Sequence, residues 1–341
     1  MPRIHLSAVT QWITEAALQH PLGLAAHLAQ RLGVSRSTAQ KTLQRLVAAQ
    51  WLQREGTRQR PHYRPGLLRQ VVRRYPLQGL DEHSSWLRDF APQLALPAGV
   101  ARLAQHAFSE LVNNAVDHSG GSCVTVSMRQ TAAHVQLLVS DDGCGLFERI
   151  GQCFDIHEPA LAMLELSKGK LTSQPERHSG RGLFFTSRIA DVLDLHANQT
   201  AFQHRSWQRH RWQPGRPAAR QGTSVFVAIA LDSTCELDAV LREHSLDGAG
   251  YAFERTRVPL QLATAPQAGL ESRAQAKRVA ARLPQFRRAE VDFDGITTLG
   301  HGFADELFRV FARANPGVEL VPLNMTPQLS ALVDSVRSVV N

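Results

Sequence analysis

"FSELVNNAVDHSGG", residues 108–121, reads as a buried helix up to its middle. Phe108, Leu111, Val112 and Ala115 recur at helical spacing, and then Asn113 and Asn114 stand side by side, with Glu110 before them and Asp117 after. Asparagine is a mediocre helix former because its side chain competes for backbone hydrogen bonds. At 100° per residue, Glu110, Asn114 and Asp117 fall within about 60° of arc. They make one polar stripe beside the apolar one of Leu103, Ala107 and Leu111. A carboxylate–amide–carboxylate stripe flanking a core face is a place for a ligand. Asn113 lies off it and reads as a satisfied surface amide.

Downstream, "HVQLLVSDDGCGLF" (134–147) alternates like a strand through Val135, Leu137 and Val139 and ends in D-x-G-x-G. Asp141 closes the strand, and Gly143 and Gly145 permit turns that other residues resist. A carboxylate there can accept from an exocyclic amine, although Asp-Gly alone is a common turn. "LAMLELSKGKLTSQPERHSGRGLFFTSRIADVL" (161–193) begins as a small helix and turns polar and glycine-bearing, like a flap. Two of the chain's four lysines, Lys168 and Lys170, sit in that flap. Gly180-Arg181-Gly182 then open an apolar helix through Leu183, whose free N–H groups suit an anion. "QGTSVFVAIAL" (221–231) is a strand preceded by Gly222-Thr223.

In this order and spacing, the segments resemble the GHKL ATPase family of gyrases and histidine kinases over roughly residues 85–232. E-x3-N-x2-D is similar to its N box, D-x-G-x-G to its G1 box and G-x-G-L to its G2 box, with Gly-Thr before a strand as its last motif. The resemblance implies an α/β-sandwich (Bergerat) domain that binds ATP with Mg²⁺. It implies that Asn114 holds the metal and that Asp141 binds the adenine amine with support from Thr223. Gly143 and Gly145 shape that loop, while Lys168, Lys170, Gly180, Arg181, Gly182 and Leu183 cradle the phosphates. Glu110 positions or deprotonates the attacking water or hydroxyl, and Asp117 matches a supporting carboxylate. Asp142 stands where the family commonly has asparagine, and the flap is short, with one G-x-G, which leaves turnover open.

The N-terminal stretch "LGLAAHLAQRLGVSRSTAQKTLQRLVAAQWLQREGTRQRPHYRPG" (22–66) has its own grammar. Leu24, Leu28 and Leu32 line one helical face, and Gly33 ends that helix. Ser35 caps a second helix running to about Gln50, with Ala39, Leu43, Leu46 and Val47 inward. A two-stranded hairpin with a basic tip follows. The pattern resembles a winged helix-turn-helix. It implies that Arg36, Ser37, Thr38, Gln40, Lys41 and Gln44 face a major groove and that Arg58 and Arg60 on the wing reach phosphate or the minor groove. Charge supports DNA over a purely protein-binding face. Residues 1–75 carry twelve Lys/Arg against Glu15 and Glu55, a balance of +10 within an overall +8, so the other 266 residues sum to −2.

At the other end, "RVPLQLA" (257–263), "AEVDFDGI" (289–296) and "GVELVPLN" (317–324) read as strands, with Phe303, Leu307, Phe308 and Phe311 striping a helix between the last two. Ser272 reads as an N-cap. The run V-D-F-D-G-I-T-T-L-G-H-G is similar to a STAS-like family. In anti-sigma-factor antagonists of that architecture a phosphorylatable serine sits at the turn occupied here by Gly300-His301-Gly302. His301 reads as a helix-start residue.

The expected organisation is multidomain α/β. A winged helix-turn-helix fills 1–75, a GHKL ATP-binding domain 76–235 and a small α/β STAS-like domain 236–341. At 341 residues and 43% hydrophobic, the chain has ample material for such cores. No leader and no run of about 20 apolar residues is present, so a cytoplasmic, non-membrane protein is expected. Cys123, Cys144, Cys153 and Cys235 lack metal-binding spacing and read as reduced thiols. Only about 25 residues separate the winged helix from the polar helix, room for one short helix, "DEHSSWLRDFAPQL" (81–94), and none for a phosphoacceptor hairpin. Three functions remain: an ATP-gated regulator of duplex DNA, an anti-sigma-type protein kinase acting on a hydroxyl, or a winged-helix protein with a structural nucleotide site. A regulatory protein on the STAS-like domain and a second copy of the chain stay open as partners. The segment 196–221, arginine-rich with Trp207 and Trp212, reads either as a base-stacking surface or as an edge hairpin with outward arginines.

Overall fold

The computed structural model describes residues 4–173, 176, 179–208, 212–248, 250–264 and 269–338. Its elements begin with α1 Leu6–Thr10, α2 Ile13–Gln19, α3 Leu24–Leu32, α4 Arg36–Ala48, β1 Leu52–Gly56, β2 Pro61–Pro65 and β3 Arg69–Pro76. There follow α5 Glu82–Ser85, α6 Ala98–His118, β4 Cys123–Gln130, β5 His134–Asp141, α7 Leu146–Phe154, α8 Pro159–Lys168 and α9 Gly182–Ile189. Next come β6 Val192–Ala197, β7 Thr200–Arg205, β8 Trp212–Pro214, β9 Thr223–Ala230, α10 Leu237–Glu243 and β10 Arg255–Pro259. The chain closes with α11 Arg273–Ala280, β11 Arg288–Asp292, α12 His301–Asp305, α13 Ala312–Ala314, β12 Glu319–Leu323 and α14 Pro327–Ser338. Two compact units result, one of Met1–Gly145, Ala190–Trp207 and Pro214–Thr234, the other of Leu146–Ile189, Gln208–Gln213 and Cys235–Asn341. The division cuts across chain order: residues 146–189, which the motifs place in the nucleotide-binding segment, fold with the C-terminal strands. Among the described residues, no helix is long and apolar enough to cross a membrane.

In the first unit, α3 ends at Gly33, whose φ of +63° suits a residue without Cβ. Ser35 Oγ accepts from Thr38 N at 3.2 Å and starts α4. Leu24, Leu28, Ala39, Leu43 and Leu46 are buried against Ile13, Trp51 and Tyr63, which gives this helix–turn–helix its own core. The hairpin β1–β2 pairs Leu52 with Pro65 and Gly56 with Pro61. The next strand, β3, leaves the hairpin and pairs antiparallel with β4 over its whole length, from Arg69↔Gln130 to Pro76↔Cys123. It thereby becomes the edge of a sheet ordered β3-β4-β5-β9-β6-β7. The basic RQVVRRYP stretch, which the sequence leaves outside the nucleotide-binding segment, is thus part of its sheet. The short helix expected at 81–94 is present. Asp81 accepts from Ser84 N at 3.1 Å to start it, and Trp86 and Phe90 set their rings 5.3 and 5.1 Å from Phe108. Along α6, Leu103, Ala107, Phe108, Leu111, Val112 and Ala115 are buried, and the helix packs on β5 and β9.

In the second unit, β10, β11 and β12 form a parallel sheet, with Arg255↔Arg288 and Arg288↔Glu319 in register. The strand expected at 257–263 begins earlier and stops at Pro259, which has no N–H to extend the ladder. Leu260 and Leu262 then bury themselves in a helical turn. Ser272 caps α11 in a reciprocal box with Gln275. Phe303, Leu307 and Phe308 are buried as their spacing predicts, while Phe311 is half-buried. Phe184, Phe185, Phe253 and Phe286 make a second aromatic cluster.

Candidate functional site

Asp141 is the last residue of β5 and is buried. Its Oδ1 accepts two backbone hydrogen bonds, from Gly143 N at 2.9 Å and Thr223 N at 3.0 Å. Both bonds fall on one oxygen, which leaves Oδ2 as the acceptor for a ligand amine. Burial pushes the Asp141 carboxyl up, while the Thr223 and Gly143 amides work against that shift. The glycines are required by closeness. A Cβ on Gly143 would meet Ser119 O at 2.2 Å, and one on Gly222, at φ +87°, would meet Asp141 O at 2.3 Å. Cys144 N also donates to Ser119 O at 3.0 Å, so the D-x-G-x-G loop is stitched to the end of α6. On α6, Glu110, Asn114 and Asp117 are half-buried, on the helix whose opposite side is core. The structure therefore brings together the polar stripe, Asp141, Gly143, Gly145 and Thr223 within one unit.

Lys168, Lys170, Gly180, Arg181, Gly182 and Leu183 lie in the second unit. Gly182 opens α9, as the motif predicts, and Gly180, at φ +64°, lies so close to Leu171 that a Cβ would meet its backbone at 2.7 Å. Lys168 is fully buried. Its Nζ donates to Glu165, to Val279 O at 2.9 Å and to Ala281 O at 3.0 Å. An ammonium has three N–H donors, and all three are engaged. Lys168 thus has no donor left for the phosphate contact that the flap motif assigns to it. Lys170 is half-buried, donates to Gln285 O at 2.6 Å and stands 4.4 Å over the Phe286 ring. Arg181 donates to Tyr251 O at 3.3 Å. The flap positions 174, 175, 177 and 178 lie outside the described residues.

On α4, Arg36, Ser37, Gln40, Lys41 and Gln44 are exposed and Thr38 is half-buried, while Ala39, Leu43 and Leu46 face the core. Arg58 and Arg60 are exposed at the hairpin tip, where Thr57 Oγ1 accepts from Arg60 N at 3.1 Å. The basic surface read from the sequence is thus a real surface.

Three residues of the site were not singled out by motif. Asn198, at the tip of the β6–β7 hairpin, accepts from Gly222 N at 2.9 Å and donates to Cys144 O at 2.8 Å, bracing both glycine loops. Arg220 donates to Asp141 O at 3.1 Å. Asp142, noted only as a departure, accepts from Ser122 N at 2.7 Å and Cys123 N at 2.9 Å, and these bonds hold its carboxyl well below the usual range. Only Asn198 left a signal, an asparagine in a tight A-N-Q-T turn with φ +51°. The segment 196–221 contributes the β6–β7 hairpin. Arg205 pairs with Asp194 at 2.6 Å, Trp212 is buried and Trp207 is 66% exposed, so a stacking surface could use only one of its tryptophans; positions 209–211 lie outside the described residues.

Residues 99–233 match the family model described as histidine kinase-, DNA gyrase B- and HSP90-like ATPase. Residues 275–329 match the model of a STAS-like domain of unknown function. A comparison with curated proteins finds no match. The polar helix, the D-x-G-x-G loop and the Gly-Thr strand all fall inside the first match, so the chain carries a GHKL ATPase domain followed by a STAS-like domain.

Proposed function

We propose that this protein is an ATP-binding regulator whose contact with duplex DNA is gated by nucleotide. Asp141 Oδ2 accepts the adenine amine, with Thr223 and Gly143 fixing the carboxylate. Asn114 supplies an amide oxygen to Mg²⁺, a hard donor suited to that ion. Bound Mg²⁺ would neutralise phosphate charge. Glu110 positions or deprotonates the group that attacks. The exposed face of α4, with Arg36 and Lys41, takes the major groove, and Arg58 and Arg60 take the flanking backbone.

The observation that carries gating is β3. It continues directly from the hairpin and is hydrogen-bonded along β4, whose first residue is held by Asp142, the neighbour of Asp141. One sheet thus joins the strand that follows the hairpin to the strand that ends in Asp141. Spatial continuity is a motive for coupling, and only a coupling measurement establishes it. DNA affinity is to be measured with and without a non-hydrolysable ATP analogue at fixed salt, on a site selected from random duplexes. A coupling of about 1–3 kcal/mol is expected, equal in both directions. Equal affinities would refute gating.

The STAS-like match in the same chain favours a second reading, a protein kinase of the anti-sigma type. With γ-labelled ATP, that reading yields a phosphoprotein and the first yields free phosphate. Neither product would leave the nucleotide site structural.

A further inference from the structure

At the carboxyl ends of β10 and β11, a narrow cleft in the second unit is lined by Ser167, Arg188, Trp212, Arg257, Gln261 and Asp292. The Asp292 carboxylate is fully engaged. Its Oδ2 accepts from Arg257 Nε at 3.1 Å and Nη2 at 2.9 Å, and its Oδ1 accepts from Asn324 Nδ2 at 2.8 Å and Asp294 N at 3.1 Å. Arg188 has no such partner. Among the described residues its guanidinium makes no hydrogen bond or ion pair, its Nε is wholly buried without an acceptor, and its Cζ stands 5.0 Å over the centre of the Phe184 ring. Glu243 and Glu290 act on it only from beyond ion-pair reach. Burial and the Arg257 charge push the Arg188 guanidinium down to about 10, so it remains a cation at neutral pH.

The cleft therefore holds two guanidinium groups and one carboxylate, and of the two guanidinium groups that carboxylate pairs with Arg257 alone. A buried donor without an acceptor is uncommon and asks for a group that completes it. Guanidinium forks suit oxyanions, to which they donate two parallel N–H bonds. The inner space is about that of one water molecule. A nucleotide does not fit; one oxygen of a carboxylate or phosphate takes that space, and the rest of a small anion lies in the open part of the cleft. The carboxyl ends of parallel strands are also where open α/β sheets bind ligands.

We propose that this cleft is an oxyanion site, in which Arg188 receives the carboxylate or phosphate head of a small molecule. Ser167 lies in the last turn of α8 and Arg188 on α9, both inside the matched ATPase domain, whereas Arg257 and Asp292 belong to the C-terminal sheet. An occupant bridges the two. Any effect of that bridge on nucleotide turnover rests on the ATP reading, while binding of the anion does not.

The test uses the full chain. Acetate and inorganic phosphate are titrated at constant ionic strength against chloride, following tryptophan fluorescence and thermal midpoint. The expected result is a saturable response to at least one of them. Arg188→Gln weakens it at least tenfold, and Trp212→Phe removes its fluorescence component. Gln261→Glu is the second variant, for the case that Arg188→Gln does not fold. It puts a carboxylate of the same size into the cleft in place of the amide whose Nε2 donates to Trp212 O at 3.1 Å, and it is expected to abolish the anion response. A response unchanged in both Arg188→Gln and Gln261→Glu overturns the proposal, as does the absence of any saturable response over chloride.

Discussion

Exchange of Asp141 for asparagine separates the ligand-facing oxygen of this residue from its structural one. In the folded chain Oδ1 takes the Gly143 and Thr223 amides at 2.9 and 3.0 Å. Asparagine keeps a carbonyl oxygen for both and replaces Oδ2 by an NH₂. The loop is expected to hold, since removing a buried charge relieves the burial that pushes this carboxyl up. The ligand amine, in contrast, loses a charge-assisted acceptor and faces a donor. A hydrogen bond to a charged group contributes about 1.5–3 kcal/mol. At about 1.4 kcal/mol per decade, that is roughly a 10- to 150-fold rise in Kd. Asp141→Ala is the contrast. It leaves two buried N–H groups unsatisfied, at about 1–3 kcal/mol each, and should lower stability as well as affinity. Calorimetry with ATP·Mg²⁺ gives the affinities and urea denaturation the stabilities. An Asp141→Asn variant that binds ATP·Mg²⁺ within threefold of the parent would show that Oδ2 meets no nucleotide amine.

Glu110→Ala should retain ATP and slow its turnover by about 10²–10⁴-fold, the usual contribution of a positioned base; wild-type phosphate release in single-turnover assays would make Glu110 a structural residue. Lys168→Met should destabilise the protein by about 3 kcal/mol in urea denaturation, because the buried Glu165 would keep only its longer pair with Arg282 and the Val279 and Ala281 carbonyls would lose their donor; an unchanged midpoint would contradict the buried pair. His244 is held down to about 4 from an ordinary 6.5 by burial, with the Arg188 charge adding to the shift. The native state keeps it neutral and the unfolded chain protonates it, so its contribution is complete above pH 6.5 and is lost as pH falls toward 4, to a total of about 3 kcal/mol. Urea midpoints at pH 7.5 and 5 should therefore differ in the parent and converge in His244→Phe, and equal pH dependence in both would rule His244 out.

The parts of this fold that the sequence discloses are those whose cause is local. Ser35 and Ser272 cap helices because the hydrogen bond spans three residues. The alternation of Val135, Leu137 and Val139 names its own buried face. Asp141, Gly143 and the Gly222-Thr223 pair carry a motif that needs no partner to be noticed. What stays hidden is set by pairing across the chain. Arg69–Pro76 reads as a basic tail of the N-terminal module until β4, some fifty residues on, supplies its ladder. Asn198 and Arg220 reach the loops around Asp141 from segments with no motif of their own. Two cations of the second unit show the limit most sharply. Lys168 stands in a polar, glycine-bearing stretch and looks poised for phosphate, yet its carbonyl acceptors come from residues 111 and 113 positions away and use it up. Arg188 stands in the apolar run FFTSRIADVL and looks like filler, yet it keeps a buried donor without an acceptor. Residue type and local polarity rank the two in one order, and donor–acceptor accounting ranks them in the other. A cation's availability to a ligand depends on how many of its N–H groups the fold has already used, and that count is a property of tertiary contacts, which is why Arg188 and not Lys168 marks the open site in this unit.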